Sequence, residues 1–354
     1  MPTNVSPEYK KAEAEYKKAR DPADRLKWLR EMLSTIPKHK GTEHVQADIK
    51  SRIKVLTDEL AGPKKGGART GPVQAVRPEG AAQVSLIGPP NAGKSALHAR
   101  LTGSHAVVGP YPFTTHEPLP GMLSYRDVHF QLIDLPPISA EYMEKWYLNA
   151  LQPAHCALLV VDLADPECID HIVAIRERLD QRRVTLDERW PFPFDEAEAP
   201  EAVVPDSGEE ETREGEEMED PFRIVLPTLL VANKSDLDSD PEEVAVLEEL
   251  LGVRYPAVSV SAETGAGLDR IGPLLFAGLG VVRVYTKVPG KEPSDKPWAL
   301  FRGGTVQEVA EMVHRDIAEG LHFAKVWGAS VLFDGQQVGA DHVLADGDVV
   351  ELHA

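Results

Sequence analysis

The stretch VSLIGPPNAGKSAL, residues 84–97, leaves this chain few folds to choose from. A short β-type run (Val84, Ser85, Leu86, Ile87) enters a loop at Gly88. That loop leaves through Gly93-Lys94-Ser95 into a helix-forming segment. This is G-x-x-x-x-G-K-[ST] with the strand before it and the helix after it that the motif requires. Gly93 lets the backbone approach an anion closely in a conformation a side chain would oppose. Successive N–H groups of the loop and the helix N-terminus then point at that anion. Lys94 reaches outer phosphates as a point charge, and the Ser95 hydroxyl is a ligand suited to Mg²⁺. The expected phosphate contacts are Pro90, Asn91, Ala92, Gly93, Lys94, Ser95 and Ala96. The bland alternative, a strand-to-helix turn that binds nothing, is disfavoured by both flanks.

At 354 residues the chain has room for two or three domains, and 42% hydrophobic residues are ordinary for a globular protein. The apolar run at 157–161 is far too short to span a bilayer, so no membrane is expected. The opening MPTNVSPEYKK lacks the apolar core of a secretory signal. Cys156 and Cys168 fall in or just after a buried-strand pattern, and read as structural thiols of a cytoplasmic protein. The net charge of −19 hides two opposite features. Residues 195–220 hold thirteen acids and one arginine, whereas residues 1–70 carry sixteen Lys/Arg against ten Asp/Glu. A basic arm suggests a polyanionic partner.

Residues 6–60 read as two or three helices, with Asp21-Pro22 as an N-cap and first-turn proline. Lys38, His39 and Lys40, in a basic connector, suit nucleic-acid phosphates, but on these residues alone a solvated helical hairpin is the favoured reading. The expected units are a basic helical domain (1–62), a Gly/Pro/basic linker (63–80), an α/β domain (81–280) and a small α+β domain (281–354). In the α/β domain, strand patterns at 128–134, 157–163, 225–234 and 257–260 alternate with helical ones at 140–151, 167–183, 241–251 and 267–279. That alternation predicts a parallel sheet with helices on both faces. Residues 190–221 have little to bury and are expected to form a disordered acidic insert. In the last unit, residues 305–319 read as one helix with Thr305 as N-cap and Glu308 completing a capping box. Its histidines (His314, His322, His342) lack metal-ligand spacing, and Trp298 and Trp327 read as packing residues.

A phosphate loop alone does not choose among nucleotides; residues further along do. Asn233-Lys234-Ser235-Asp236 follows a buried strand at the carboxyl edge of the predicted sheet. A carboxylate there pairs with guanine N1–H and the exocyclic amine, and the edge of adenine would leave it badly paired. Ser261-Ala262-Glu263 follows another strand, where a backbone N–H can meet the guanine oxygen. Asp134 ends a strand and suits Mg²⁺, directly or through water. The order matches a GTPase.

With GPPNAGKS, YPFTTHEP (111–118), DLPP, NKSD and SAETG on the page, the chain resembles the Obg/DRG group of translation-factor-class GTPases. RVYTKVPGK and the run KVWGASV to VGADHVLADGDVV resemble a TGS domain, implying a ubiquitin-like β-grasp at 281–354. The N-terminal helices resemble the helical arm of TGS-bearing GTPases. The extra folded domain that DRG proteins carry has no counterpart in the shorter acidic stretch. The resemblance implies that Thr114 or Thr115, with Thr115 favoured, contacts Mg²⁺ and the γ-phosphate. It also implies that Asn91 helps bind K⁺ where no arginine finger acts. Lys94, Thr115 and Asn91 form the implied catalytic set. A ribosome or other RNA–protein assembly, docked through the basic arm and the TGS-like unit, is the implied partner, with no sequence-specific DNA binding.

One departure matters. The family pattern places glycine where Pro137 stands, and proline has no N–H to give a γ-phosphate. No glutamine follows to orient water; Ile138, Ser139 and Ala140 come next. The expectation is slow hydrolysis stimulated by K⁺ and a partner. The alternatives are a GTP-binding scaffold with negligible turnover and an ATPase, the latter opposed by the intact NKSD.

Overall fold

Unbroken apolar runs rather than alternating ones build the central sheet, because parallel strands covered on both faces present no side to water. The computed structural model describes residues 6–19, 21–37, 42–60, 76–103, 117–144, 146–194, 220–237 and 249–354. Strand β1 (Ala82–Ile87) is buried along its whole length and lies parallel to both β3 (Val128–Asp134) and β4 (Cys156–Asp162). The sheet runs β2 (Leu119–Tyr125), β3, β1, β4, β6 (Ile224–Asn233), β5 (Val184–Asp187). Strand β7 (Ala257–Ser259) pairs with the second half of β6. Only β2 among these runs antiparallel. Helix α4 (Lys94–Thr102) covers one face beside Leu86, Phe130, Leu158 and Val231, a core that α7 (Ile271–Gly278) closes. Helices α5 (Tyr147–Leu151) and α6 (Cys168–Asp180) cover the other, over Ile87, Ile133, Leu159 and Leu230. Cys156 and Cys168 are both buried.

Two departures from the sequence expectation lie here. The helix expected at 140–151 is confined to α5, and Ile138 before it is drawn into the core. Strand β5, which follows the helix expected at 167–183 and was not marked by any sequence pattern, gains its place by pairing with β6.

The N-terminal residues form three helices, α1 (Pro7–Lys18), α2 (Pro22–Thr35) and α3 (Glu43–Leu60). Ser6 Oγ accepts from Tyr9 N at 3.1 Å and Asp21 Oδ1 from Ala23 N at 2.8 Å, so both starts are capped with proline at the first position. Tyr9, Tyr16, Leu29, Met32 and Ile49 bury together around Phe222, which comes from the far end of the acidic stretch. The Arg52 guanidinium lies 4.2 Å from the Phe222 ring centroid, and Arg183 bridges Asp48 (3.1 Å) and Asp220 (3.3 Å). The arm is therefore a packed bundle seated on the sheet domain, not a solvated hairpin. The basic connector residues Lys38, His39 and Lys40 lie outside the described residues, as do most of 63–80, residues 195–219 and 241–248 of the helix expected at 241–251.

The C-terminal unit is a five-stranded sheet, ordered β11 (Gln336–Val338), β10 (Phe323–Trp327), β12 (Asp348–His353), β8 (Val281–Thr286), β9 (Trp298–Phe301). Thr305 Oγ1 accepts from Glu308 N at 3.4 Å and caps α8 (Val306–Val313). The single helix expected over 305–319 breaks at His314, which is fully extended (φ −168°). Its Nδ1 accepts from Asp316 N at 3.2 Å and starts α9 (Arg315–Gly320).

The expected disordered insert at 190–221 is also corrected at its start. Trp190 and Phe194 pack on Gly278, where an added Cβ would come within 2.4 Å of the Trp190 ring. Phe192 packs on Gly280 (φ +63°), where a Cβ would stand 2.2 Å from that ring. These aromatics cover the joint between the two sheets. A second tie is ionic. Arg283 of β8 donates to Asp346 at 2.8 Å and to Asp127, in the turn between β2 and β3, at 2.8 Å, and Tyr285 OH also donates to Asp127. Burial would raise the Asp127 and Asp346 carboxyls, but the bonds from Arg283 win and hold both below their ordinary range.

Carboxyls held low in the folded state stabilise it at neutral pH, and that contribution disappears as pH falls through their lowered values. Arg283→Met should therefore cost about 1–2 kcal/mol at pH 7 and progressively less below pH 4. Parallel thermal melts at the two pH values check this, and an equal loss at both would refute it.

Candidate functional site

The carboxyl ends of β1, β3, β4, β6 and β7 converge, and the loops leaving them carry the motif residues. At the centre sits Gly93, with φ +87°. A Cβ there would lie 2.3 Å from Asn233 Nδ2, so glycine is required both by conformation and by space. Gly88 meets the same limit from β4, where a Cβ would stand 2.2 Å from the Val160 carbonyl.

Asn233 explains the closeness. Its Nδ2 donates to Ala92 O at 2.9 Å and its Oδ1 accepts from Ala262 N at 3.0 Å. Buried at 3% exposure, its amide is used on both ends to join three loops distant in sequence. Asn233, expected from the sequence to contact the nucleotide, also clamps together the loops that carry its neighbours.

Lys94 is buried, and its Nζ donates to Gly88 O (3.1 Å) and Pro89 O (2.7 Å), folded over the loop it leaves. Burial lowers its pKa to about 8, with Asp134 pulling the other way. Ser95 Oγ donates to Asp134 Oδ2 at 2.6 Å, and Asp134 is fully buried at the end of β3. A carboxylate and a hydroxyl set side by side at the helix start are hard oxygen donors, and they fit Mg²⁺. Among the described residues no group of three or more His, Cys, Asp or Glu offers an all-protein metal site. Such an ion would therefore complete its shell with phosphate and water. Asn91 takes a left-handed conformation (φ +62°) at the exposed crest of the loop. Pro90 and Ala96 flank the same loop, and Thr114 and Thr115 lie outside the described residues.

Across the site, Asp236 is the middle residue of a short 3₁₀ turn (Ser235–Leu237) and accepts from Ser261 Oγ. Ser261 Oγ in turn accepts from Thr264 N at 3.0 Å, and Glu263 is exposed on the same turn. Lys234 has a left-handed backbone (φ +66°), and its Nζ reaches Asp162 Oδ2 at 2.7 Å. Asp162 was missed in the sequence, although its place at the end of the strand preceding the NKSD strand was the available signal.

Pro136 and Pro137 are buried and carry no N–H. The next amide, Ile138 N, donates to Gly88 O at 3.2 Å. Leu135 and Ile138 are both fully buried beside Tyr147. The backbone donors of residues 136–138 are thus either missing or already committed to the phosphate loop.

Comparison with known proteins agrees with this geometry. Residues 83–188 match the family described as 50S ribosome-binding GTPase, and residues 282–354 match the TGS domain. An uncharacterized GTP-binding protein of Methanocaldococcus jannaschii is 30% identical over 93% of this chain and 92% of its own length. Developmentally-regulated G-protein 2 of Arabidopsis thaliana is 27% identical over 93% of this chain and 90% of that protein. Among solved structures, the YchF GTPase of Schizosaccharomyces pombe has a TM-score of 0.51 at 14% identity, covering 79% of this chain and 100% of that one. That last likeness concerns the fold alone. Among the described residues, no helix is long and apolar enough to cross a membrane.

Because a polyphosphate binds the charged form of Lys94, proton uptake should accompany binding once the free lysine begins to lose its proton. Affinity for a nucleoside triphosphate is expected to be flat below about pH 8 and to fall by up to tenfold per unit above it. Calorimetric titration from pH 6.5 to 9.5 reads this directly, and a flat profile throughout would contradict it.

Proposed function

The chain belongs to the DRG-type GTP-binding proteins, which join a P-loop GTPase domain to a C-terminal TGS domain, and from that premise we propose that it binds Mg²⁺–GTP and hydrolyses it slowly on an RNA–protein assembly. The observation that supports the nucleotide choice is that Asn233 ties the phosphate loop to the Ser261–Ala262 turn, whose Ser261 in turn holds the Asp236 carboxylate. Loop N–H groups from residues 91–96 and the Lys94 ammonium hold the phosphates. Ser95 and Asp134, joined by Thr115 on the family pattern, hold Mg²⁺, which neutralises charge developing on the phosphates. Asp236 accepts from guanine, and the Ala262 region meets the guanine oxygen. GTP is expected to bind at least a hundredfold more tightly than ATP, and Asp236→Asn should shift preference to xanthosine triphosphate. Titration calorimetry with the three nucleotides tests this, and equal affinity for GTP and ATP would overturn it.

Slow turnover follows from Pro136, Pro137 and Ile138. Losing one donor to a transition-state charge costs about 3–4 kcal/mol, or two to three orders of rate. K⁺ beside Asn91 would supply part of the missing positive charge. The basic helical arm and the TGS domain support docking on a ribosome, in keeping with the description of the matching family. A specific observation also favours a second reading, a GTP-binding scaffold with negligible turnover: Ile138 N is already engaged by Gly88 O.

Single-turnover phosphate release separates the two. The intact chain should be slow alone and faster with K⁺ and ribosomes, and Pro137→Gly should raise the unstimulated rate at least tenfold. Release that stays undetectable with both additions would establish the scaffold.

A further inference from the structure

Asp162 lies outside every motif that assigns a role in nucleotide binding, yet its carboxylate is among the best-fixed at the site. It is the last residue of β4, in register with Asn233 across the parallel β4–β6 pair, so it lies beside the first residue of the NKSD turn. Its Oδ1 accepts from Ala164 N at 3.1 Å, which sets the carboxylate plane. Its Oδ2 accepts from Lys234 Nζ at 2.7 Å, with the two side chains 17% and 32% exposed.

Lys234 is thereby held at both ends. Its backbone is in the left-handed region (φ +66°), and its carbonyl accepts from Leu237 N at 2.9 Å. Its ammonium is tied to β4, whereas Asp236 two residues later is tied to Ser261 beyond β7. The two side chains of one turn therefore diverge toward opposite neighbours of β6. With its backbone at the end of β6 and its ammonium at the end of β4, the methylene stem of Lys234 is fixed two residues from the Asp236 carboxylate. An untethered lysine would have to give up rotamer freedom to present that stem to a base; a tethered one has already done so.

We infer that Asp162 is a positioning residue for guanine recognition, acting through Lys234 by holding its alkyl stem as a preformed wall of the base slot. The inference rests on the guanine-nucleotide reading above, but a separate measurement tests it.

Asp162→Asn keeps the oxygen that caps Ala164 and removes the charge that holds Lys234. GDP affinity should fall about five- to tenfold, the scale of one long side chain left free to move. Inorganic pyrophosphate, which occupies the phosphate loop and has no base, should bind as it does to the natural chain. A merely structural defect would weaken both ligands. In a Lys234→Met background, where the stem remains and the tether is absent, Asp162→Asn should cause no further loss. Unchanged GDP binding in Asp162→Asn, equal weakening of GDP and pyrophosphate, or multiplied losses in the double variant would each overturn the inference. A natural chain that fails to prefer GDP over ADP would instead refute the guanine reading itself. Should Asp162→Asn not fold, Lys234→Met alone decides: its GDP affinity must fall by the same factor with pyrophosphate binding intact.

Discussion

The site stands or falls with one buried amide. Asn233 donates to the phosphate loop through Ala92 O and accepts from the base-side turn through Ala262 N. A Cβ at Gly93 would collide with it. Removing either bond would leave a buried polar group unpaired, a cost of about 1–3 kcal/mol. The two halves of the site, one for phosphate and one for base, are in this way a single rigid object. The parallel sheet supplies the rest, since Asp134, Asp162 and Asn233 end their strands and the Ser261 turn follows β7, all at the carboxyl edge.

The three units around that object are joined by specific contacts. Phe222 enters the core of the helical bundle, and Trp190, Phe192 and Phe194 cover the glycines that lead into the TGS domain. The two feet of the acidic stretch thus sit at the two joints of the molecule. Arg283 links the TGS domain to the turn between β2 and β3, the hairpin that ends at Asp134.

Pro137 sets this chain apart from the pattern it otherwise follows. The double proline does more than delete an N–H. It holds the segment extended, so that Leu135 and Ile138 bury beside Tyr147 and the first remaining amide turns back to Gly88. Two buried side chains and a backbone bond to Gly88 thus anchor the segment that follows Asp134.

Much of this was legible in the chain itself. The phosphate loop, the strands ending in Asp134 and NKSD, the capped helices and the Thr305 cap are local patterns, written in residues close together in sequence and enforced by backbone chemistry. What local pattern does not encode is which distant groups meet. The packing of Trp190 and Phe194 on Gly278 turned the start of an apparently featureless insert into structure. The extended backbone at His314 split one expected helix into two. The Asp162–Lys234 pair and the double duty of Asn233 joined positions separated by 72 and 141 residues or fewer. The sequence alone determined the kind of ligand, because phosphate and guanine demand particular residue types at fixed short spacings. Tertiary structure alone decided how those residues are held, because a tether, a clamp or a buried joint exists only once the sheet has brought its ends together.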